Sequence, residues 1–201
     1  DVTAQDDKGV WLDRPGRPHL AAGAGDVAPE TAGALFADFS RPLVNGNNMT
    51  AFSGRLAGPS VTTDNDSGAW VENAGLLQLI VREGDAAPGI DAIFSETLET
   101  YAMNALGHTI IDSSLIGATV TPANDRAIWV HDDSGDMRMV LREGDAIEVQ
   151  PSDIRTISSY MLTFFRSGGQ DGKKEILNDA GQLVVTLGFT DGSSGIFITT
   201  V

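Results

Sequence analysis

Residues 68–85 read GAWVENAGLLQLIVREGD, and residues 127–145 read AIWVHDDSGDMRMVLREGD. Both stretches open on a small or apolar pair before a tryptophan and close on the same four letters, REGD. In each, two runs rich in apolar and β-branched residues flank a short polar segment, which is typical of two strands joined by a turn. The chain therefore uses one strand pair more than once.

The landmarks of this strand pair recur along the chain at nearly constant spacing. The aromatic position recurs at intervals of 59 residues and then once more near the end, as Trp11, Trp70, Trp129 and Phe197. The Gly-Asp pair occurs at residues 25–26 and again as Gly84, Asp85, Gly144 and Asp145. An asparagine typical of a turn stands at positions 45, 104 and 178. Self-similarity at a fixed period indicates a repeat architecture.

Each repeat of about 60 residues has room for four short strands. The register predicts a partial repeat at 1–33, repeats at 34–91 and 92–152, and a closing repeat at 153–201 with an insertion near 162–175. No segment keeps a 3.6-residue apolar period over three turns, and residues 94–106 are predicted as strand plus turn. The fold class is all-β, with tandem four-stranded antiparallel units arranged like the blades of a β-propeller.

The number of units limits how such a fold closes. Three complete units are fewer than the ~4–8 blades of an ordinary propeller. The chain starts at a third strand and stops after another third strand. Two alternatives follow for this incomplete propeller: further blades belong to a longer chain, or the ends pair with another copy. Because an unpaired edge is a template for association, the segments 9–26 and 195–201 are expected to take part in closure, within one ring or between copies.

Composition excludes several classes of function. The 201-residue chain has a formal net charge of −15, and its acids outnumber its bases 28 to 13, which argues against nucleic acid as a partner. It contains no cysteine, so disulfides, thiol catalysis and cysteine-ligated zinc are excluded. No run approaches the ~18 apolar residues of a transmembrane helix.

The repeat motifs resemble those of a family of bacterial tandem-repeat proteins of unknown function, known as choice-of-anchor or uncharacterised tandem-repeat proteins. The resemblance rests on residues 68–89, 127–146 and 176–198, and it covers nearly the whole chain. It implies a β-propeller-like fold and export, so that the protein is secreted or lies at the surface of a bacterium. It implies no reaction and no catalytic residues.

Two repeated features have both a functional and a structural interpretation. The charges of REGD could form a site, or the motif could be a strand end with a Gly-Asp turn and an Arg-Glu pair across strands. The earliest copy keeps only Gly and Asp, which favours the structural interpretation. The tryptophans could stack on sugars, but their place inside apolar strands favours core packing.

Two acidic loops are candidates for a calcium site. Calcium takes several hard oxygen ligands, and the loops at 63–68 and 131–136 supply carboxylates. The candidate ligands are Asp64, Asp66, Asp132, Asp133 and Asp136. Neither loop has the EF-hand spacing, and the same residues are ordinary hairpin-turn residues. No other cofactor is indicated.

The insertion in the closing repeat breaks the pattern, and such breaks are where specific function tends to lie. It brings two aromatic residues and a flexible tip with two lysines to an acidic chain. The candidate contact residues are Phe164, Phe165, Arg166, Lys173 and Lys174. The alternative is a longer loop that covers the end of the array.

No catalytic residues are proposed, because neither a GxSxG elbow nor a P-loop is present and the three histidines lack zinc spacing. The leading hypothesis is a non-enzymatic extracellular module for binding or assembly, either as a homo-oligomer or with other protein chains. The alternative is a propeller that binds or hydrolyses glycans at one face.

Overall fold

The structure is a computed structural model that describes residues 7–14, 17–162 and 176–201. These ranges form 14 β-strands and no helix, and the strands make four antiparallel sheets. In every sheet, each strand pairs with the strand that precedes or follows it in the chain. The prediction of an all-β fold with antiparallel strands is confirmed. Across these residues no helix is long and apolar enough to cross a membrane.

The sheets follow one another along the chain. The first sheet contains β1 (Gly9–Arg14) and β2 (Arg17–Gly23). The second contains β3 (Leu35–Val44), β4 (Thr50–Ala57), β5 (Ser67–Asn73) and β6 (Leu76–Arg82). The third contains β7 (Ile93–Met103), β8 (Thr109–Ile116), β9 (Arg126–His131) and β10 (Met137–Arg142). The fourth contains β11 (Ala146–Gln150), β12 (Asp153–Met161), β13 (Gln182–Phe189) and β14 (Ser194–Thr200).

The repeat register locates every strand except β11. After each earlier Gly-Asp turn, the corresponding residues make only isolated bridges, Val27 with Leu35 and Ala86 with Ile93. In the fourth sheet this pairing extends into a full strand that begins at Ala146. A proline stands three residues after the aspartate of the first and second Gly-Asp pairs, whereas Glu148 occupies this position after the third pair. Because proline has no N–H, it stops the ladder in the first two cases.

The hydrophobic core lies between consecutive sheets rather than at one centre. Val10 and Ala22 of the first sheet pack with the aromatic residues of the second. Ala69 of the second sheet packs in a cluster with Trp129 of the third. Ile128 belongs to the cluster that joins the third sheet to the fourth. Since neighbouring residues of a strand point to opposite faces, one strand serves two junctions.

The repeated tryptophans do not all have the same environment. Trp70 and Trp129 have no exposed surface, which confirms core packing for both, and Trp70 lies 4.9 Å from Phe36 between ring centroids. Phe197 is partly buried against Phe189, at 5.7 Å. The expectation of core packing is wrong for Trp11, which is 63% exposed. Among the described residues its sheet contains β1 and β2 alone, so no described strand beside Trp11 is the counterpart of the strands that cover Trp70.

Candidate functional site

The REGD motif forms the connection between one sheet and the next. Gly84 has a φ of 90° and donates its N–H to the Phe94 carbonyl at 3.0 Å. Phe94 in turn donates to the Asp85 carbonyl at 3.0 Å. The Asp85 carboxylate accepts the N–H of Arg82 at 2.7 Å. These bonds fasten the end of β6 to the start of β7, so the interpretation as a strand end with a Gly-Asp turn is confirmed.

The other two Gly-Asp turns repeat this geometry. Gly144 donates to Ile157 and Gly25 donates to Phe36, each at 2.8 Å, and both glycines have positive φ. The carboxylates of Asp145 and Asp26 cap their own turns in the same way. Glycine is required because the left-handed conformation strains any residue with a Cβ.

The Arg and Glu of REGD do not pair with each other across strands, contrary to expectation. Arg82 donates through Nε to the carbonyl of Asn65 at 2.8 Å, and Arg142 does the same to Asn124 at 2.6 Å. Glu83 is buried and accepts a hydrogen bond from the Ser67 hydroxyl at 3.1 Å. The motif ties the strand end to the preceding loop, and its charges are used inside the fold.

Burial gives the Glu83 carboxyl an unusual protonation equilibrium. Loss of water raises the pKa of Glu83 above its ordinary value, and the hydrogen bond from Ser67 offsets this only in part. Burial raises the pKa of Glu143 at the matching position as well. A raised carboxyl pKa in a cleft would suggest an acid catalyst. Here Glu83 is only 4% exposed and its partner belongs to the same strand pair, so its role is structural.

The repeated asparagines organise the turn between the first and second strand of each unit. The Asn104 side-chain oxygen accepts the N–H groups of Leu106 at 3.1 Å and His108 at 3.0 Å. Asn45 and Asn178 make the same two bonds to residues two and four positions further on. An Asn side chain that caps its own turn in this way replaces backbone partners that the turn lacks.

The amide groups of two of these asparagines reach the next sheet. Asn45 donates to the carbonyl of Asn104 at 2.9 Å, and Asn104 donates to the carbonyl of Asn178 at 3.3 Å. Asn178 donates instead to the side chain of Gln182 in its own turn, at 2.9 Å. The three turns form a ladder in which each donor precedes its acceptor in the chain, and the ladder therefore has a direction.

A second set of polar contacts joins the sheets eight residues after the turn asparagines at positions 45 and 104. Ser53 accepts the N–H of Thr100 at 2.9 Å, and Asp112 accepts the hydroxyl of Tyr160. Asp112 also pairs with Arg126, whose guanidinium lies 4.9 Å from the Tyr160 ring. Burial raises the pKa of both Asp112 and Tyr160. Since Asp112 is only 2% exposed, the group holds the third and fourth sheets together instead of facing a substrate.

The candidate calcium ligands lie in two separate loops. Asp132 caps the β9–β10 turn by accepting the N–H groups of Ser134 and Asp136 at 3.0 and 3.1 Å. Asp66 forms an ion pair with Arg55. Within residues 7–14, 17–162 and 176–201, no three His, Cys, Asp or Glu side chains are grouped so as to hold a metal ion.

The proposed contact residues of the insertion are Phe164, Phe165, Arg166, Lys173 and Lys174. All five lie outside the described residues.

A polar pocket of about 320 Å³ lies between the second sheet and the β9–β10 turn of the third. Its walls carry Asn73 and Gln78 from the second sheet and Asp132 and Asp133 from the turn. His131 also lines it, and burial lowers the pKa of this imidazole below its ordinary value. The pocket joins two units of the repeat and offers several hydrogen-bonding groups to a small ligand.

The last sheet has an exposed apolar face that the middle sheets do not have. Val184 stands six residues after its turn asparagine, and Ile196 and Ile198 flank Phe197 on the adjacent strand. We call these three residues the end face. Ile196 is 63% and Ile198 67% exposed, and Val184 is half-buried. In the third sheet the matching residues, which have no exposed surface, are Ile110, Ile128 and Val130.

The second sheet follows the same rule as the third. Its residues at the end-face positions are Ala51, Ala69 and Val71, and all three are buried. The end face is thus a standard junction surface of this fold, and in this molecule no described sheet lies on it. The sequence pointed to residues 195–201 as a whole, but it did not single out these side chains. Alignment of Ile128 and Val130 with Ile196 and Ile198 would have found them.

These features define an all-β protein of tandem antiparallel sheets that are joined by recurrent Gly-Asp turns. The model of a family of unknown function, DUF7453, matches residues 1–201, and the chain belongs to that family. The chain matches no curated protein and no solved structure. The family description assigns no activity, so the function must be argued from the surfaces of the fold.

The protonation of Glu83 predicts a pH-dependent effect of Glu83→Gln. Because the folded-state pKa of Glu83 is raised, its protonated form stabilises the fold, and this contribution is lost as pH rises through the folded pKa. The neutral variant should therefore unfold at higher urea than the wild type at pH 8. The difference should shrink as pH falls toward the unfolded value of about 4.3. Urea unfolding followed by tryptophan fluorescence at several pH values measures it.

Glu96→Gln makes the same change of charge at an exposed position and is the control. A stability difference for Glu83→Gln that stays constant from pH 8 to pH 4 would contradict the structural role of the buried carboxyl.

The asparagine ladder predicts unequal effects of one substitution at two equivalent turns. Asn104→Asp keeps the oxygen that caps its own turn but replaces the donor that faces the Asn178 carbonyl. We expect a loss of roughly 1–3 kcal/mol in the free energy of unfolding, because residue 104 is buried and its new carboxylate oxygen would face the Asn178 carbonyl without a donor. Asn178→Asp removes only a bond within its own turn and should cost less than about 1 kcal/mol. Equal losses in urea melts would rule out the intersheet role.

Proposed function

We propose that this protein is a non-enzymatic, exported module for binding or assembly, and that it associates with other protein through its end face. One observation carries the proposal. Ile196 and Ile198 are 63% and 67% exposed at positions that are fully buried in the preceding sheet. Exposed apolar patches on soluble proteins mark interaction sites more often than chance.

Two further features support association at this end. β14 is the last strand of its sheet, and among the described strands none pairs with its outer edge. An unpaired edge offers a row of N–H and C=O groups to an incoming strand. The end face therefore combines apolar side chains with an open edge, which suits another β-sheet as partner.

The arrangement of the sheets in the proposal is that of an incomplete propeller. Its support is the recurrent four-strand unit and the placement of a hydrophobic cluster between each pair of consecutive sheets. Export, to the medium or to the cell surface, rests on the resemblance to exported bacterial repeat proteins. The net charge of −15 favours solubility of such a module.

The polar pocket between the second and third sheets supports a second candidate function, the binding of a glycan. Amide and carboxylate groups from Asn73, Gln78 and Asp133 converge on one pocket. Such groups are the usual hydrogen-bond partners of a polar ligand held in a concave site. Trp70 and Trp129 are fully buried, so the sugar would be held by hydrogen bonds rather than by stacking on these rings.

The assembly proposal predicts that charges on the end face abolish association. Each isoleucine contributes roughly 1.5–3 kcal/mol when buried, and each 1.4 kcal/mol is about a tenfold change in affinity. The double variant Ile196→Asp/Ile198→Asp should therefore weaken self-association at least about a hundredfold. Sedimentation equilibrium of wild type and variant over a wide concentration range measures the change.

Val44→Asp/Leu76→Asp is the matched control, because it adds the same two charges at exposed apolar residues away from the end face. A wild-type protein that stays monomeric at high concentration, or an end-face variant that associates like the wild type, would defeat the proposal of self-association.

The glycan candidate predicts that the wild type retains a defined sugar on a glycan array. Asp133→Ala should weaken that binding about tenfold, because a hydrogen bond to a charged group contributes roughly 1.5–3 kcal/mol. Asp91→Ala, at an exposed position outside the pocket, should leave binding unchanged. An array on which no glycan is retained would count against this candidate.

A further inference from the structure

The first sheet also has a face that no described sheet covers. Trp11 on β1 lies opposite Leu20 on β2, and these residues are 63% and 38% exposed. We call this pair the leading face. The corresponding cross-strand pairs are Trp70 with Leu79 in the second sheet and Trp129 with Met139 in the third. Those pairs belong to the clusters that contact the preceding sheet.

Each junction within the chain is made from two different surfaces. One sheet contributes the residues at the end-face positions, such as Ile128 and Val130 of the third sheet. The following sheet contributes the side that contains its aromatic landmark, such as Phe197 of the fourth. Among the described sheets, the first and the fourth thus each leave one half of a junction uncovered, and the two halves are of opposite kind.

Within one molecule these two halves do not cover each other, since Trp11 and Ile198 both remain more than 60% exposed. We infer that the end face of one molecule packs on the leading face of a second copy, so that copies associate head to tail. This inference rests on the proposed function and adds the identity of the partner and the polarity of the contact.

The asparagine ladder gives the same polarity independently of the apolar faces. Asn45 and Asn104 each donate to the turn of the sheet that follows, and the order of donor and acceptor never reverses. A contact between two end faces would bring together two surfaces of the same kind and would reverse this order. A head-to-tail contact keeps the order that the ladder has at the two junctions between the second, third and fourth sheets.

The leading face contains a groove that could accommodate an apolar side chain. A groove of about 290 Å³ is bounded there by Trp11, Leu20 and Gly23. Its polar edge includes Lys8, which pairs with Asp38 at 2.9 Å. Head-to-tail contacts are heterologous, so they close into a ring or continue as a filament, depending on the rotation between copies.

The chain's charge predicts how the association responds to salt. Two copies with a net charge of −15 repel each other, and added salt screens this repulsion. The contact itself is apolar and is not weakened by screening. Association should therefore become tighter as NaCl increases from about 20 mM to about 500 mM.

A complementation experiment tests the inference. The end-face variant Ile196→Asp/Ile198→Asp keeps its leading face, and the variant Trp11→Glu/Leu20→Glu keeps its end face. Each variant alone should be monomeric by size-exclusion chromatography with light scattering. An equimolar mixture should form a heterodimer that grows no further, because each partner contributes one intact face.

The outcomes separate this inference from the proposed function. If the leading-face variant associates like the wild type while the end-face variant does not, the end face binds a different surface and the inference is overturned, while the proposed function stands. If neither variant differs from the wild type, both fail. A mixture that stays monomeric although the wild type associates also overturns the inference.

A second measurement does not depend on the acidic variants being folded. The chain has no cysteine, so single-cysteine variants give unambiguous crosslinks. Under mild oxidation, Trp11→Cys mixed with Ile198→Cys should give a disulfide-linked heterodimer in at least about tenfold excess over either homodimer, since the two sites meet only head to tail. A dominant Ile198→Cys homodimer would overturn the inference.

Discussion

Both faces of every middle sheet are buried against a neighbouring sheet, and the rest of the structure depends on this constraint. A strand that is buried on both faces needs apolar residues at odd and even positions alike. β9 satisfies this requirement with Ile128 toward the fourth sheet and Trp129 toward the second. No unit can bury its own faces, so the stability of each sheet depends on the sheets beside it.

The polar elements of the repeat place the sheets so that this burial can occur. The Gly-Asp turns fasten the last strand of one sheet to the first strand of the next. The asparagine turns link neighbouring sheets through side-chain amides. Glu83 is buried beside its turn as part of the same scaffold. Residues that recur in every repeat therefore stabilise the fold. We expect function where a residue at a repeated position is exposed although its equivalents in the other repeats are buried.

That criterion selects the two ends of the stack. Ile196, Ile198 and Trp11 occupy positions whose equivalents are buried, yet each is more than 60% exposed. A scattered exposed isoleucine needs no explanation on a protein surface. A matched pair of incomplete junctions does need one, because the same side chains form the core elsewhere in the molecule. Association of copies would give these residues the environment that their equivalents already have.

The sequence by itself determined the all-β class, the repeat and thirteen of the fourteen strands in the described part of the chain, because β-branched runs, turn residues and period are local properties of the chain. It did not predict β11, whose pairing depends on the absence of proline from one position. The sequence also predicted, wrongly, that Trp11 is buried like Trp70. A local sequence pattern carries no information about whether a neighbouring sheet covers it. Which faces are covered was decided only by the tertiary structure, because burial depends on the sheets that stand on either side.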